Sequence, residues 1–116
     1  MDDLTAVDLK TFENLREQLG ADFLPGIVDI FCEDVLLQLQ TAESALASGD
    51  QTGFTRAVHS IKSTSLSFGA LDFGAEAREL EALGRAGDLE QAKARFPLML
   101  RACPSLRQNL KELCRA

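Results

Sequence analysis

The chain has 116 residues, 46% hydrophobic and 26% charged, a size and balance that fit one folded domain around a single core and exclude a disordered chain. Its 12 Lys and Arg against 18 Asp and Glu leave a net charge of −6, which disfavours an anionic-membrane or nucleic-acid binder and leaves only a local basic patch open, and without Trp or Tyr the usual aromatic platforms that stack bases are missing. A single histidine, His59, rules out a multi-histidine metal site, and three widely spaced cysteines, Cys32, Cys103 and Cys114, fit neither a zinc motif nor a disulfide framework.

The elements read as helices throughout, because no stretch sustains a two-residue alternation and the turn signals lie far apart. The start, Met1-Asp2-Asp3-Leu4, is acidic and lacks an apolar signal core. No apolar run approaches the roughly 20 residues needed to span a bilayer, so a soluble, cytoplasmic protein in a reducing compartment is expected. Thr5 followed by Asp8 opens a short first helix carrying Leu9, Phe12, Leu15 and Leu19, which Gly20 closes. A second helix starts near Asp22 with Pro25 in its first turn. Its residues Ile27, Phe31, Val35, Leu39, Ala42 and Leu46 form one apolar face, Cys32 falls in the same pattern as a small core residue, and Ser48-Gly49 ends the helix.

Asp50 caps a third helix with Phe54, Val58, Ile61, Ser65 and Phe68 inward, and Gly69 ends or kinks it. Asp72 is expected to cap a fourth, with Phe73, Ala77, Leu80 and Leu83-Gly84 inward. Asp88 with Gln91 resembles a capping box for a fifth. Pro97 and Pro104 predict a kink or break in that last segment, with Pro104 able to begin a new terminal helix. Short connections make successive long helices antiparallel. The expected architecture is all-α: an up-down-up-down four-helix bundle over residues 1–116 as a single domain, with a short extra N-terminal helix and a kinked or broken C-terminal helix. The start at Met1 with its own short helix favours a free-standing protein over a domain excised from a hybrid kinase.

On a helix turning 100° per residue, His59 lies about 140° from the core face of the third helix, toward solvent. Thr52, Thr55, Lys62, Ser63 and Leu66 share that side, with Arg56 further round. Small neighbours leave the ring open to a large convex partner, and Lys62, three residues on, can reach an anion at the imidazole. Taken alone, a surface histidine and a nearby lysine read equally well as solvated side chains.

Residues 57–70 run Ala-Val-His-Ser-Ile-Lys-Ser-Thr-Ser-Leu-Ser-Phe-Gly-Ala. This string resembles the signature of histidine-containing phosphotransfer domains, the HPt family of bacterial and plant phosphorelays. That signature has a histidine, a lysine three later, a small residue next, and Gly-Ala further along. His59, Lys62, Gly69 and Ala70 match it, and His-Ser-Ile-Lys also looks like the phosphotransfer domain of chemotaxis kinases. The family is a helical bundle of similar length, so the resemblance extends over the whole chain. One departure is Ser63, where the family usually has glycine to admit a partner closely; serine is still small, so tolerance with altered affinity or partner choice is expected.

The resemblance implies a phosphorelay intermediate. His59 would accept a phosphoryl group from a receiver-domain aspartyl phosphate, or from a kinase, and pass it to another receiver. The nucleophile must be a neutral imidazole nitrogen, Nε2, with the other nitrogen held by an acceptor. Glu81 lies beside the inner face of the fourth helix by the same angular count, and the family commonly has an acidic or amide residue at this position; it either orients His59 or is a solvated charge. Lys62 would stabilise phosphoryl charge. Arg56 reads as long-range attraction or as plain surface, and Leu66 and Ser67 as part of a docking patch with Thr55 and Ser63, although Leu66 fits equally well under a neighbouring helix. No glycine-rich phosphate loop and no carboxylate cluster for Mg²⁺ is present, so the chain should carry no cofactor of its own, Mg²⁺ being supplied by the partner receiver. The Glu and Pro that follow the phosphorylated histidine of dimerising sensor kinases are missing, which points to a monomer. The expected partners are response-regulator receivers and a sensor or hybrid histidine kinase, not nucleic acid or membrane. The alternative is a non-catalytic helical interaction module with an inert surface histidine; a metal or redox protein is disfavoured because its ligands would be too few and too scattered.

Overall fold

The computed structural model describes residues 3–115; Met1, Asp2 and Ala116, and with them part of the acidic start read above and the ends of the expected 1–116 domain, lie outside the described residues. Five α-helices and no strand occur among those residues: α1 (Leu9–Leu19), α2 (Leu24–Ser48), α3 (Gln51–Ser67), α4 (Leu71–Ala86) and α5 (Leu89–Arg115). The all-helical expectation holds.

Local chemistry sets most of the boundaries. The Asp8 carboxylate accepts the Thr11 N–H at 3.1 Å, which satisfies one orphan donor at the start of α1. Asp50 does the same for the Gly53 N–H at 2.9 Å, and Asp88 for the Gln91 N–H at 3.2 Å. The two turns into these last helices use one device. A glycine in the left-handed region, Gly49 at φ 73° or Gly87 at φ 76°, closes one helix, and the aspartate after it caps the next.

Four boundaries differ from the sequence expectation. α1 starts at Leu9 with Asp8 as its N-cap, while Thr5, expected to open it, lies before the helix and donates its hydroxyl to the Asp3 carboxylate. α2 starts at Leu24 rather than near Asp22, because Pro25, whose fixed φ suits a first turn, sets where the helix can begin. α4 starts at Leu71, with Ala70 as its N-cap and no side-chain cap, so Asp72 sits inside the first turn. There its charge complements the positive helix end without capping it. α5 runs from Leu89 to Arg115 through both Pro97 and Pro104, so no break occurs and no separate helix begins at Pro104. The burial of Ala92, Phe96, Met99, Leu106 and Leu110 along one side of α5 holds the helix together on both sides of each proline. Pro97 and Pro104 themselves stay out of the buried core, and each removes one backbone donor from the helix.

α3 packs against α2 and α4, and α5 packs against the same two helices. The core they enclose holds Phe12, Phe54, Phe73, Leu39, Ile61 and Leu80, all buried. Phe31 stacks on Phe68 with centroids 4.3 Å apart, and Phe54 meets Phe96 edge-on at 6.1 Å. Cys32 is buried, as a small core residue should be. Ile27 is only half-buried, and Val28 beside it takes the fully buried place on α2.

α1 is tied on by its ends. The Asp8 N–H donates to the Gly69 carbonyl at 2.7 Å, the Asn109 side-chain amide donates to the Thr5 carbonyl at 2.7 Å, and the Arg16 guanidinium donates to the Leu113 carbonyl.

The α3–α4 pair positions the site, and small residues let it close. Gly74, Ala77, Glu81 and Gly84 recur at helical spacing on one face of α4 and are all buried. A Cβ on Gly74 would stand 2.7 Å from Leu66 Cδ2, and one on Gly84 would collide with Thr55 Oγ1 and stand 3.2 Å from Phe54 Cδ2. Leu66 can swing aside, but Thr55 and the buried Phe54 ring cannot. Gly84→Ala should therefore lower stability by about 2 kcal/mol, a fall in Tm of roughly 6–10 °C. Gly26→Ala meets nothing within 4 Å and should raise stability by about 0.5 kcal/mol through helix propensity. Thermal unfolding of the two variants followed by circular dichroism checks the opposite signs.

Candidate functional site

His59 sits on α3 with 52% of its side chain exposed, on the side opposite Phe54, Val58, Ile61 and Ser65. Its Nδ1 lies 2.7 Å from Glu81 Oε2 across the α3–α4 contact. Glu81 is 6% exposed and is held by three groups. Besides His59, Lys62 Nζ donates to Oε1 at 2.7 Å, and Arg85 Nη2 donates to Oε2 at 2.6 Å.

Burial alone would push the Glu81 carboxyl up, because it penalises the charged form. The hydrogen bonds from Lys62, Arg85 and His59 together outweigh it and hold the group down at about 2. Glu81 is therefore ionised at neutral pH and can only accept. Its partner at 2.7 Å must donate, so the proton of a neutral His59 ring sits on Nδ1 and the lone pair on Nε2. Two cations, Lys62 and Arg85, surround one carboxylate, which leaves the cluster with a surplus positive charge beside that lone pair.

The sequence-predicted residues fall as follows. His59, Lys62 and Glu81 are brought together, although they come from two helices and span 22 positions. Arg56, Ser63 and Ser67 are exposed on α3, and the Ser67 hydroxyl donates back to the Ser63 carbonyl at 3.1 Å. Thr55 is half-buried and its hydroxyl donates to the Gln51 carbonyl at 2.8 Å, which leaves its oxygen only the acceptor role toward a partner. Both readings of Leu66 are partly realised: it is 42% exposed, yet its methyl groups cover Gly74 of α4. A cleft of about 530 Å³ opens beside the imidazole, lined by Thr52, Thr55, Arg56, His59, Ser60 and Arg85 among others.

Arg85 is the residue that the sequence reading missed. Its signal was present: it stands four positions after Glu81 on the same helix, with the acid N-terminal to the base, which is the favourable order for such a pair. Among the described residues no group of three or more His, Cys, Asp or Glu side chains could hold a metal ion. No helix among them is long and apolar enough to cross a membrane.

A family described as Hpt domain matches residues 26–116 of the chain. Among solved structures, histidine-containing phosphotransfer protein B (HptB) from Pseudomonas aeruginosa PAO1 superposes with a TM-score of 0.87 at 28% identity, covering 94% of each chain. No curated protein sequence matches the chain significantly.

Because Glu81 titrates well below the ordinary carboxylate value of 4.5, its stabilising effect is complete above that value and is lost as pH falls toward about 2. Urea unfolding at pH 6, 4 and 2 should therefore show wild type losing stability faster than Glu81→Gln over this interval, so that the two curves converge in acid. In the same variant, long-range ¹⁵N–¹H correlation of the His59 ring should show the Nδ1–H preference weakened at neutral pH.

Proposed function

The chain belongs to the Hpt domain family, and on that premise we propose that it is a phosphorelay intermediate that carries a phosphoryl group on His59 between receiver domains. The observation that carries the reading is the half-exposed His59 ring held by an ionised Glu81, which leaves Nε2 as the free nucleophile.

In the proposed step the Nε2 lone pair attacks the phosphorus of a receiver's aspartyl phosphate in line. The N–P bond forms as the bond from phosphorus to the acyl oxygen breaks, and the aspartate leaves as a carboxylate. The proton stays on Nδ1, so the ring gains positive charge, and the Glu81 carboxylate 2.7 Å away stabilises it. Lys62, 24% exposed and one turn from His59, offers its ammonium to the phosphoryl oxygens while remaining near Glu81. Arg85, 2.6 Å from the same carboxylate, keeps Glu81 balanced as Lys62 shares its charge with the phosphoryl group. Passing the group to a second receiver is the same step in reverse.

The phosphorylated receiver would dock on the α3 face that carries Thr55, Arg56, Ser63, Leu66 and Ser67. With Ser63 in place of the family's usual glycine, the partner must accommodate one hydroxymethyl group, which bears on partner choice. The Mg²⁺ that supports transfer would belong to the receiver. A sensor or hybrid histidine kinase supplies the phosphoryl group at the head of the relay, and the chain acts as a cytoplasmic monomer on an antiparallel four-helix bundle.

Incubation of the full chain with a panel of phosphorylated receivers should yield acid-labile, alkali-stable label on wild type. His59→Gln should carry none while keeping its helical circular dichroism. Lys62→Ala should transfer about tenfold more slowly, a smaller loss than removal of a fully buried oxyanion donor produces. Label that persists in His59→Gln would move the acceptor elsewhere, an unchanged rate in Lys62→Ala would reduce that lysine to a solvated charge, and a wild type that accepts nothing from any receiver would leave a helical interaction module.

A further inference from the structure

A second concave site lies between α2 and α5, away from α3 and its histidine. Its volume is about 410 Å³, and its walls are Cys32, Leu36 and Leu39 from α2 and Leu100, Cys103 and Pro104 from α5. The thiols act as apolar wall here: burial pushes Cys32 up to about 11 and raises Cys103 as well, so both stay protonated at neutral pH.

Arg107 and Lys111 stand at the rim. Lys111 lies 3.6 Å from Asp29, whereas exposed Arg107 has no carboxylate within ion-pair distance among the described residues. Arg107 and Lys111 against Asp29 leave one surplus positive charge at the mouth, although α2 itself carries Asp29, Glu33, Asp34 and Glu43 and no base. From Arg101 to Arg115, α5 carries Arg101, Arg107, Lys111 and Arg115 against Glu112 alone.

An apolar trough with one uncompensated guanidinium at its mouth matches an amphiphile with an anionic head. The volume falls in the range of small-ligand pockets, roughly 300–1,000 Å³. A protein partner would need about 800 Å² of matching surface, far more than this trough presents. We propose that the α2–α5 groove binds a free medium-chain fatty carboxylate, its hydrocarbon chain along Leu36, Leu100 and Pro104 and its head group on Arg107. The site shares no residue with the phosphotransfer cluster, so the two readings stand or fall separately.

The test is titration of the ¹⁵N-labelled full chain with sodium laurate below its micelle concentration, with dodecyltrimethylammonium as the cationic control. Laurate should give saturable amide shifts confined to α2 and α5 around the groove. It should bind more tightly than the control, even though a chain of charge −6 attracts cations overall. Arg107→Glu, an exposed substitution, should weaken laurate about fivefold, the worth of one partly exposed ion pair. Equal binding of the two amphiphiles, shifts centred on α3, an unchanged affinity in Arg107→Glu, no saturation, or binding seen only with anionic vesicles would each overturn the proposal.

Discussion

One buried carboxylate organises this protein's surface chemistry. An ionised Glu81 at the α3–α4 contact would be costly by several kcal/mol if it stood alone there. The fold makes it tenable by aiming Lys62, Arg85 and His59 at its two oxygens. Each donor is thereby constrained in turn. The imidazole proton is assigned to one nitrogen, the lysine is held a turn from the ring, and the arginine is drawn in along α4. A neutral amide at the same place would leave two cations facing each other and the ring free to choose its tautomer. The reactive character of His59 is therefore a property of the interface between two helices rather than of the histidine itself.

That interface tolerates little variation in spacing. Gly84 brings the α4 backbone against Thr55 and Phe54, and Gly74 lies beneath Leu66, so Glu81 is carried to hydrogen-bonding distance of α3 from between two points of close approach. The Gln51 side-chain amide adds a further tie, donating to the Gly84 carbonyl at 2.7 Å. Aromatic packing behind the site, with Phe54 against Phe96 and Phe31 against Phe68, keeps α3 from rolling. A site built on helices fixed in this way is more precise than one borne on loops.

Much of this was legible in the sequence because the informative signals are local. The Asp50 and Asp88 caps declare themselves through backbone donors three residues ahead, and the α3 core positions follow from helical period. The outward direction of His59 came from the same period; the angular count set Glu81 beside the inner face of α4, and its link to His59 rested on the family resemblance. What was not legible depends on tertiary context. The start of α4 is set by how the chain leaves the Phe68–Ala70 turn, not by Asp72. The continuity of α5 through two prolines depends on the core that buries Phe96, Met99 and Leu106, which outweighs a local rule. Arg85 was hidden because a Glu–Arg pair on a helix usually means a solvated surface; only the burial of Glu81 makes it part of the site.

The fastening of α1 has a consequence for the order of folding. Its ties run from Asp8 to Gly69, from Arg16 to Leu113 and from Thr5 to Asn109, separations of 61, 97 and 104 residues, so they close loops that encompass from half to nearly all of the chain. Such a closure is favourable only once the intervening helices have docked. Phe12 is the one α1 side chain that is fully buried, so little else can hold the helix in place early. α1 is thus the last element to lock and the first to release: a low-stability cooperative unit whose amides exchange with solvent before those of the helices beneath it.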